Sequence, residues 1–181
     1  MKKLFTLKTR VGCVRFLILC LCVIFIFSFI AQYISSDGAS IKIEEISIDA
    51  RGATLSGDLY YPAGVTDRDS LPAVVFAHGA GVKKDNYRGI VEELARRGFV
   101  VFNINGYGTG YSEMPVYDES NMGIENYVTN SSSSGTLDAL EFVRTLKFVD
   151  PTRIGLAGHS QGSRRMEIAA TLDNGYLTLN D

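Results

Sequence analysis

The chain has 181 residues, with 18 basic and 20 acidic side chains, three cysteines, two histidines and no tryptophan. That length allows one domain with a sizeable core and hardly a second. The charge is divided unevenly: residues 1–34 carry five bases and no acid, which leaves 13 bases and 20 acids, a net charge of −7, on residues 35–181. Because so acidic a domain does not neutralise phosphate, nucleic acid is excluded as a partner.

A basic stretch and then an apolar segment open the chain. Residues 16–34 contain 17 apolar side chains out of 19 and no charge, and a helix of that length covers about 28 Å, close to one hydrocarbon core. We expect residues 1–15 to stay in the cytoplasm and residues 16–34 to anchor the rest of the chain in the cell membrane, outside the cytoplasm.

A cleaved signal peptide is the alternative for this segment, and the domain is then secreted. Its apolar stretch is normally shorter, and only Ser36-Asp37-Gly38 weakly resembles a cleavage site. All three cysteines, Cys13, Cys20 and Cys22, lie in this N-terminal part. The rest of the chain therefore has no disulfide, thiolate zinc site or cysteine nucleophile.

The remaining residues, 41–181, begin with two predicted strands at about 41–48 and 54–61. A continuous apolar run at 73–77 predicts a strand that is buried on both faces. A helix over 86–97 follows, for which Asp85 is the predicted N-cap and Gly98 the end. Its expected apolar face comprises Tyr87, Ile90, Val91 and Leu94.

The second part of the domain continues the alternation of strands and helices. We predict a buried strand at 100–104, a long polar loop at 107–134 and a helix at 136–148. Asp150-Pro151 is expected to break the chain before a short strand at 154–157 and a last helix at 161–172. Two leading strands followed by this alternation predict an α/β fold with a mostly parallel sheet flanked by helices.

One motif carries nucleophilic chemistry. Gly158-His159-Ser160-Gln161-Gly162 is a G-x-S-x-G sequence at the transition from the predicted last strand to the last helix. Glycines are needed at Gly158 and Gly162 because the turn is sharp and side chains there would collide with neighbouring elements. The turn presents the Ser160 hydroxyl above the sheet at a helix N-terminus, whose dipole favours developing negative charge.

A second motif, His78-Gly79-Ala80-Gly81, directly follows the buried strand at 73–77. With these two motifs the chain resembles the α/β-hydrolase superfamily, particularly its serine aminopeptidase-like and esterase-like branches. The resemblance implies that the backbone N–H groups of Ala80 and Gln161 form an oxyanion hole beside the nucleophile Ser160. It also implies a small-molecule ester or peptide as the substrate.

A third stretch, residues 103–112, resembles the D-x-R-G-x-G-x-S turn of that superfamily, with Asn103 for Asp, Asn105 for Arg and two extra residues before Ser112. A dinucleotide-binding loop is disfavoured because no helix follows its glycines. A metal pair of His78 and His159 is disfavoured as well, since both stand where the pattern has structural histidines. We therefore expect no cofactor and no metal.

Two charged pairs, Lys83-Lys84 and Arg96-Arg97, are expected to be solvated. A serine nucleophile also needs a general base and an acid that orients it, which in this fold follow the serine along the chain. No histidine follows Ser160, and Asp173 would lie about 20 Å away along the helix. We expect a hydrolase fold cut short after the elbow helix, with base and acid outside this chain.

Three functional hypotheses follow from these observations. The first is a membrane-anchored serine hydrolase whose triad is completed by further sequence. The second is a catalytically incomplete remnant or a non-catalytic membrane-tethered module. The third is a separate C-terminal half that completes the site in trans.

Overall fold

The structure is a computed structural model that describes residues 9–35, 38, 40–50, 52–115 and 135–173. The chain divides into two compact units, Met1–Ala39 and Ser40–Asp181. The predicted loop at 107–134 is described only as far as residue 115, and the remainder of it lies outside the described residues.

The first unit contains helix α1, Arg10–Ser35, whose apolar side chains are exposed along its length. In the part of the chain that the structure describes, it is the one helix long and apolar enough to cross a membrane. Length and composition fit a membrane anchor and a signal sequence equally.

The second unit is built on a five-stranded mixed sheet in the order β1-β2-β4-β3-β5. Its strands are β1 Ile41–Ala50, β2 Ala53–Pro62, β3 Leu71–Ala77, β4 Val100–Ile104 and β5 Val149–Gly158. The first two strands form an antiparallel hairpin, and β2 pairs antiparallel with β4. The other three strands are parallel, with β3 between β4 and β5.

Among the described residues of this unit, three α-helices cover the two faces of the sheet: α2 Arg88–Arg96, α3 Thr136–Thr145 and α4 Gln161–Asp173. A short 3-10 helix, Lys84–Tyr87, precedes α2. Alternate residues of β3 point to opposite faces. Val75 packs in a large cluster with Leu140 of α3 and Met166 of α4, whereas Phe76 packs with Val91 of α2.

The predicted strands, helices and α/β class therefore agree with the observed elements, but the start of α2 differs from the prediction. Asp85 does not cap it: the residues from Lys84 form a 3-10 turn, and the N-cap position is taken by Tyr87, which makes no side-chain capping bond. Ile90, predicted on the apolar face, is 54% exposed. The buried residues of α2 are Val91, Glu92 and Ala95.

The predicted break at Asp150-Pro151 is also wrong, because β5 extends over both residues. Val149 pairs with Leu71, but the next pair joins Ile154 to Ala73, so β5 holds several extra residues within a bulge. Proline donates no N–H to a ladder and is tolerated at such a bulge. The hydrogen-bonded pairing with β3 is thus interrupted near Asp150-Pro151, but the strand itself is not.

Candidate active site

The turn between β5 and α4 is strained at Ser160. Its φ is +53°, which makes it the one residue other than glycine with a positive φ among the described residues. A non-glycine residue rarely adopts this conformation, which costs of the order of 1 kcal/mol and persists only where the surroundings impose it. The serine side chain is exposed at the N-terminus of α4.

Close backbone contacts impose this conformation on the turn. A Cβ on Gly158 would lie 2.6 Å from the carbonyl carbon of Gly162. A Cβ on Gly162 would collide with the carbonyl oxygen of Ala77 and lie 2.6 Å from that of His78. Only glycine fits at either position, as the motif predicts. The start of α4 is thereby pressed against the end of β3.

The turn after β3 lies at the same edge of the sheet, because β3 and β5 are parallel neighbours. Gly79 is buried, whereas Ala80 and Gly81 are exposed. Gly81 has a φ of +72°, so the chain reverses there without steric cost. The residues predicted for the nucleophile and for the oxyanion hole therefore lie just after the ends of two adjacent parallel strands.

His78 is buried and fixes this turn through both ring nitrogens. Nε2 accepts a hydrogen bond of 3.1 Å from the N–H of Gly106, so Nδ1 carries the proton and donates to the carbonyl of Gly79 at 2.7 Å. Burial lowers the pKa of His78, and the positive charge of Arg165 adds to this effect, while the bond to Gly79 opposes it. A neutral histidine joins the turn after β3 to the turn after β4.

His159 makes a contact that the sequence analysis missed. Its Nδ1 lies 2.9 Å from Oη of Tyr87, and the same hydroxyl accepts a long hydrogen bond of 3.4 Å from the N–H of Gly79. The rings of Tyr87 and His159 are in contact, with centroids 5.5 Å apart. No sequence signal points to this pair, because 72 residues separate the two side chains.

A buried polar network supports the residues that follow the turn after β3. Asn105 Oδ1 accepts from the N–H of Lys84 at 3.2 Å, and the side-chain amide of Asn103 donates to the carbonyl of Lys84 at 3.0 Å. Ser112 Oγ donates to the carbonyl of Asn105 and accepts from the N–H of Ser56. The polar residues of the 103–112 stretch therefore hold backbone in place.

Lys84 is buried, which corrects the prediction of a solvated Lys83-Lys84 pair. Its Nζ lies 2.6 Å from Oδ2 of Asp58 on β2 and 3.4 Å from Oδ1 of Asp85. Although burial opposes it, the bonds to these two carboxylates raise the pKa of Lys84. The ammonium is thus paired inside the fold.

Neither histidine is in the position of a general base. Within the described residues, no side chain makes a hydrogen bond to the Ser160 hydroxyl, and the two histidine rings are bonded to Gly79, Gly106 and Tyr87. Asp173 forms a bidentate ion pair with Arg144 at the far end of α4. Nη1 of Arg144 binds Oδ1, and Nη2 lies 2.7 Å from Oδ2. The described part of the chain contains no cluster of residues suited to a metal ion.

Comparison with known proteins identifies the family. The profile of the Hydrolase_4 family, serine aminopeptidase S33, matches residues 69–172, which is more than half of the chain. The chain belongs to this family. The predicted α/β-hydrolase fold is confirmed, and the family and its esterase neighbours support a hydrolase.

Three proteins illustrate what this Hydrolase_4 protein is similar to. It is 29% identical over 130 residues to the uncharacterized protein YcjY of Escherichia coli K12, covering 66% of this chain and 37% of YcjY. The acetyl xylan esterase from Paenibacillus sp. R4 is 26% identical with a TM-score of 0.62, over 75% of this chain and 46% of the esterase. The carboxylesterase EstE1, from a metagenomic library, is 23% identical with a TM-score of 0.54, over 75% and 42%, and shares the fold. The chain spans less than half the length of each.

Proposed function

We propose that this protein is a membrane-anchored serine hydrolase in which the Ser160 hydroxyl attacks the carbonyl carbon of an ester or peptide bond. The backbone N–H groups of Ala80 and Gln161 then stabilise the negative oxygen of the tetrahedral intermediate. One observation carries the proposal: Ser160 adopts a φ of +53° at the first turn of a helix. Such strain at an exposed serine supports a catalytic role, since a structural turn is made at lower cost by glycine.

The two proposed oxyanion donors have no other acceptor within the part of the chain that the structure describes. Gln161 begins α4, where N–H groups have no intrahelical partner, and Ala80 is exposed in the turn after β3. Each N–H is therefore free to bind a developing oxyanion. The N-terminal end of α4 adds a favourable dipole.

A base and its orienting acid complete this mechanism. His78 is committed to two backbone groups and His159 to Tyr87, so we assign both roles to polypeptide outside these 181 residues, either continuous with this chain or supplied in trans. The base takes the Ser160 proton during attack and returns it to the leaving group. The first and third hypotheses from the sequence differ only in whether the polypeptide that supplies the base and the acid continues this chain or is a separate chain.

Ester substrates are the first class to test, because the structural neighbours named above are esterases. We propose α1 as the membrane anchor, with the basic N-terminus in the cytoplasm and the hydrolase unit on the opposite side. Carbonate extraction of membranes tests the anchor: an anchored chain stays in the pellet at its full mass. A shorter chain in the soluble fraction would indicate a cleaved signal sequence instead.

Labelling with a fluorophosphonate tests the proposed nucleophile. The full chain, in membranes from cells that produce it naturally, is expected to gain one phosphonate on the peptide that contains Ser160. Ser160→Ala abolishes the label, whereas Ser47→Ala, which changes an exposed serine of β1, leaves it intact. An unlabelled wild-type chain would favour the second function, a non-catalytic module, for which the unpartnered Ser160 hydroxyl is the supporting observation.

A further inference from the structure

We propose that Tyr87 and His159 form a brace that sets the position of the oxyanion hole, and that both are positioning residues. The inference rests on the proposed function of Ser160. The two proposed oxyanion donors belong to separate segments: Ala80 follows β3, and Gln161 begins α4. Catalysis by such a pair requires that both N–H groups point at one oxygen before the reaction begins.

The Tyr87 hydroxyl is a side-chain link between these two segments. It accepts from the N–H of Gly79, the residue before Ala80, and it lies 2.9 Å from Nδ1 of His159, the residue before Ser160. We assign the phenol proton to the bond with Nδ1, since in that arrangement the oxygen keeps a lone pair for the Gly79 N–H. His159 is then the neutral tautomer with the proton on Nε2.

Each end of the brace is attached to rigid backbone. The N–H of His159 donates to the carbonyl of Ala77 at 3.2 Å, and its carbonyl accepts from the N–H of Gly162 at 2.9 Å. At the other end, the Tyr87 ring packs on Phe76 of β3, with ring centroids 5.3 Å apart. Since both anchors are fixed, loss of the hydroxyl releases the Gly79 N–H, in the peptide next to the one that carries the Ala80 N–H, and leaves the fold in place.

The space around Gly79 shows how closely the segments approach. A Cβ at Gly79 would lie 3.0 Å from Nδ1 of His159, 3.2 Å from Oη of Tyr87 and 3.3 Å from the His159 carbonyl oxygen. The peptide that carries the Ala80 N–H is thus enclosed by the brace on one side. Any tilt of this peptide changes the direction of the Ala80 N–H.

The test compares Tyr87→Phe with Tyr111→Phe in the full detergent-solubilised protein, with p-nitrophenyl acetate as the probe. Tyr111 is 79% exposed and serves as the matched control. Removing one whole oxyanion donor typically costs about 100-fold or more in kcat, so a misdirected donor should cost about 10-fold, with KM unchanged. An unchanged kcat in Tyr87→Phe would overturn the proposal.

Rescue at His159 separates positioning from a merely structural role. His159→Asn places an amide oxygen near the position of Nδ1 and is expected to keep most of the activity, whereas His159→Ala is expected to lose as much as Tyr87→Phe. If both variants were equally impaired, the acceptor at Nδ1 would not be the function of His159. The comparison is made between variants that unfold at the wild-type temperature, and equal impairment of two such variants would overturn the brace.

A readout without turnover keeps this proposal distinct from the proposed function. In ¹⁵N spectra of wild-type protein, His159 is expected to show a protonated Nε2 and an acceptor Nδ1, and amide exchange at Gly79 is expected to accelerate in Tyr87→Phe. If these signatures are present while Ser160 is unreactive, the serine hydrolase proposal fails, and the brace remains as a contact that positions the two turns. If they are absent, the brace fails whatever the activity.

Discussion

The ammonium of Lys84 lies 2.6 Å from a carboxylate oxygen of Asp58, and the two side chains are only 9% and 14% exposed. The pair joins strand β2, which contains Asp58, to the 3-10 helix that contains Lys84 and follows the turn after β3. Removing one partner of a mostly buried ion pair leaves the other charge without compensation, which costs more than the pair itself contributes. A buried charge pair thus holds the segment that follows the turn after β3.

Lys84→Met is expected to lower the free energy of unfolding by about 3 kcal/mol, because Asp58 is left as a half-desolvated carboxylate. Guanidinium denaturation followed by tyrosine fluorescence measures the change, since the chain has no tryptophan. Lys83→Met is the matched control, because Lys83 is exposed. Adding Asp58→Asn to Lys84→Met should recover part of the loss, and a purely additive double variant would contradict this account.

Stability is expected to fall as the pH drops below about 6.5, the usual pKa of an unfolded-state histidine. The pKa of His78 is lowered in the fold, chiefly by burial, so the unfolded chain takes up a proton that the folded chain refuses. Protonation also removes the acceptor that Nε2 offers to Gly106. The contribution is fully present above the unfolded pKa and is lost as the pH falls toward the lower, folded value.

His78→Gln removes this titrating group, so the dependence of unfolding free energy on pH between 7 and 5 should become flatter than in wild type. Denaturation curves at several pH values compare the two slopes. A variant with the same slope as wild type would show that His78 has the same pKa in the folded and the unfolded chain, against the neutral form that its two hydrogen bonds require.

Two glycines in the last strand–helix unit should respond differently to alanine. At Gly162 a Cβ would collide with the carbonyl oxygens of Ala77 and His78, whereas at Gly155 the nearest atoms lie 3.8 and 3.9 Å away. Gly162→Ala is expected to cost about 2–3 kcal/mol through overpacking, and Gly155→Ala to change little. Thermal unfolding of both variants tests this, and similar melting temperatures would contradict the close contact between elbow and β3.

The fold was predictable from local signals in the sequence, but the side-chain contacts that hold the site in place were not. The run Val100–Ile104 is apolar except for Asn103 and is buried over its whole length in β4. The elbow motif lies within five consecutive residues, so spacing alone places Ser160 after a strand and before a helix. Such features depend on neighbours in sequence, and periodicity and motif spacing detect them.

The errors arose where distant partners decide the structure. Lys84 appears in the sequence as one of two adjacent surface lysines, and only its pairing with Asp58, 26 residues earlier, makes burial favourable. Tyr87 appears as an apolar helix residue, yet its hydroxyl binds a histidine 72 residues away. Asp150-Pro151 was interpreted as a break in the chain, whereas in the structure β5 continues through both residues and resumes its pairing with β3 at Ile154. No local pattern contains such information.

Ser160→Gly should separate strain from function. Glycine adopts a φ of +53° without a Cβ clash, so this variant is expected to gain about 0.5–1 kcal/mol in unfolding free energy while losing all fluorophosphonate labelling. Ser163→Gly is the matched control on the same helix: it should lose about 1 kcal/mol, because glycine is a poor helix former and because the bond from Ser163 Oγ to the Gly158 carbonyl disappears. Stability rising at Ser160 and falling at Ser163 is the pattern expected of a nucleophile held in a costly conformation. A loss of stability at Ser160 would mean that the turn is not strained, and the main support for its catalytic role would be withdrawn.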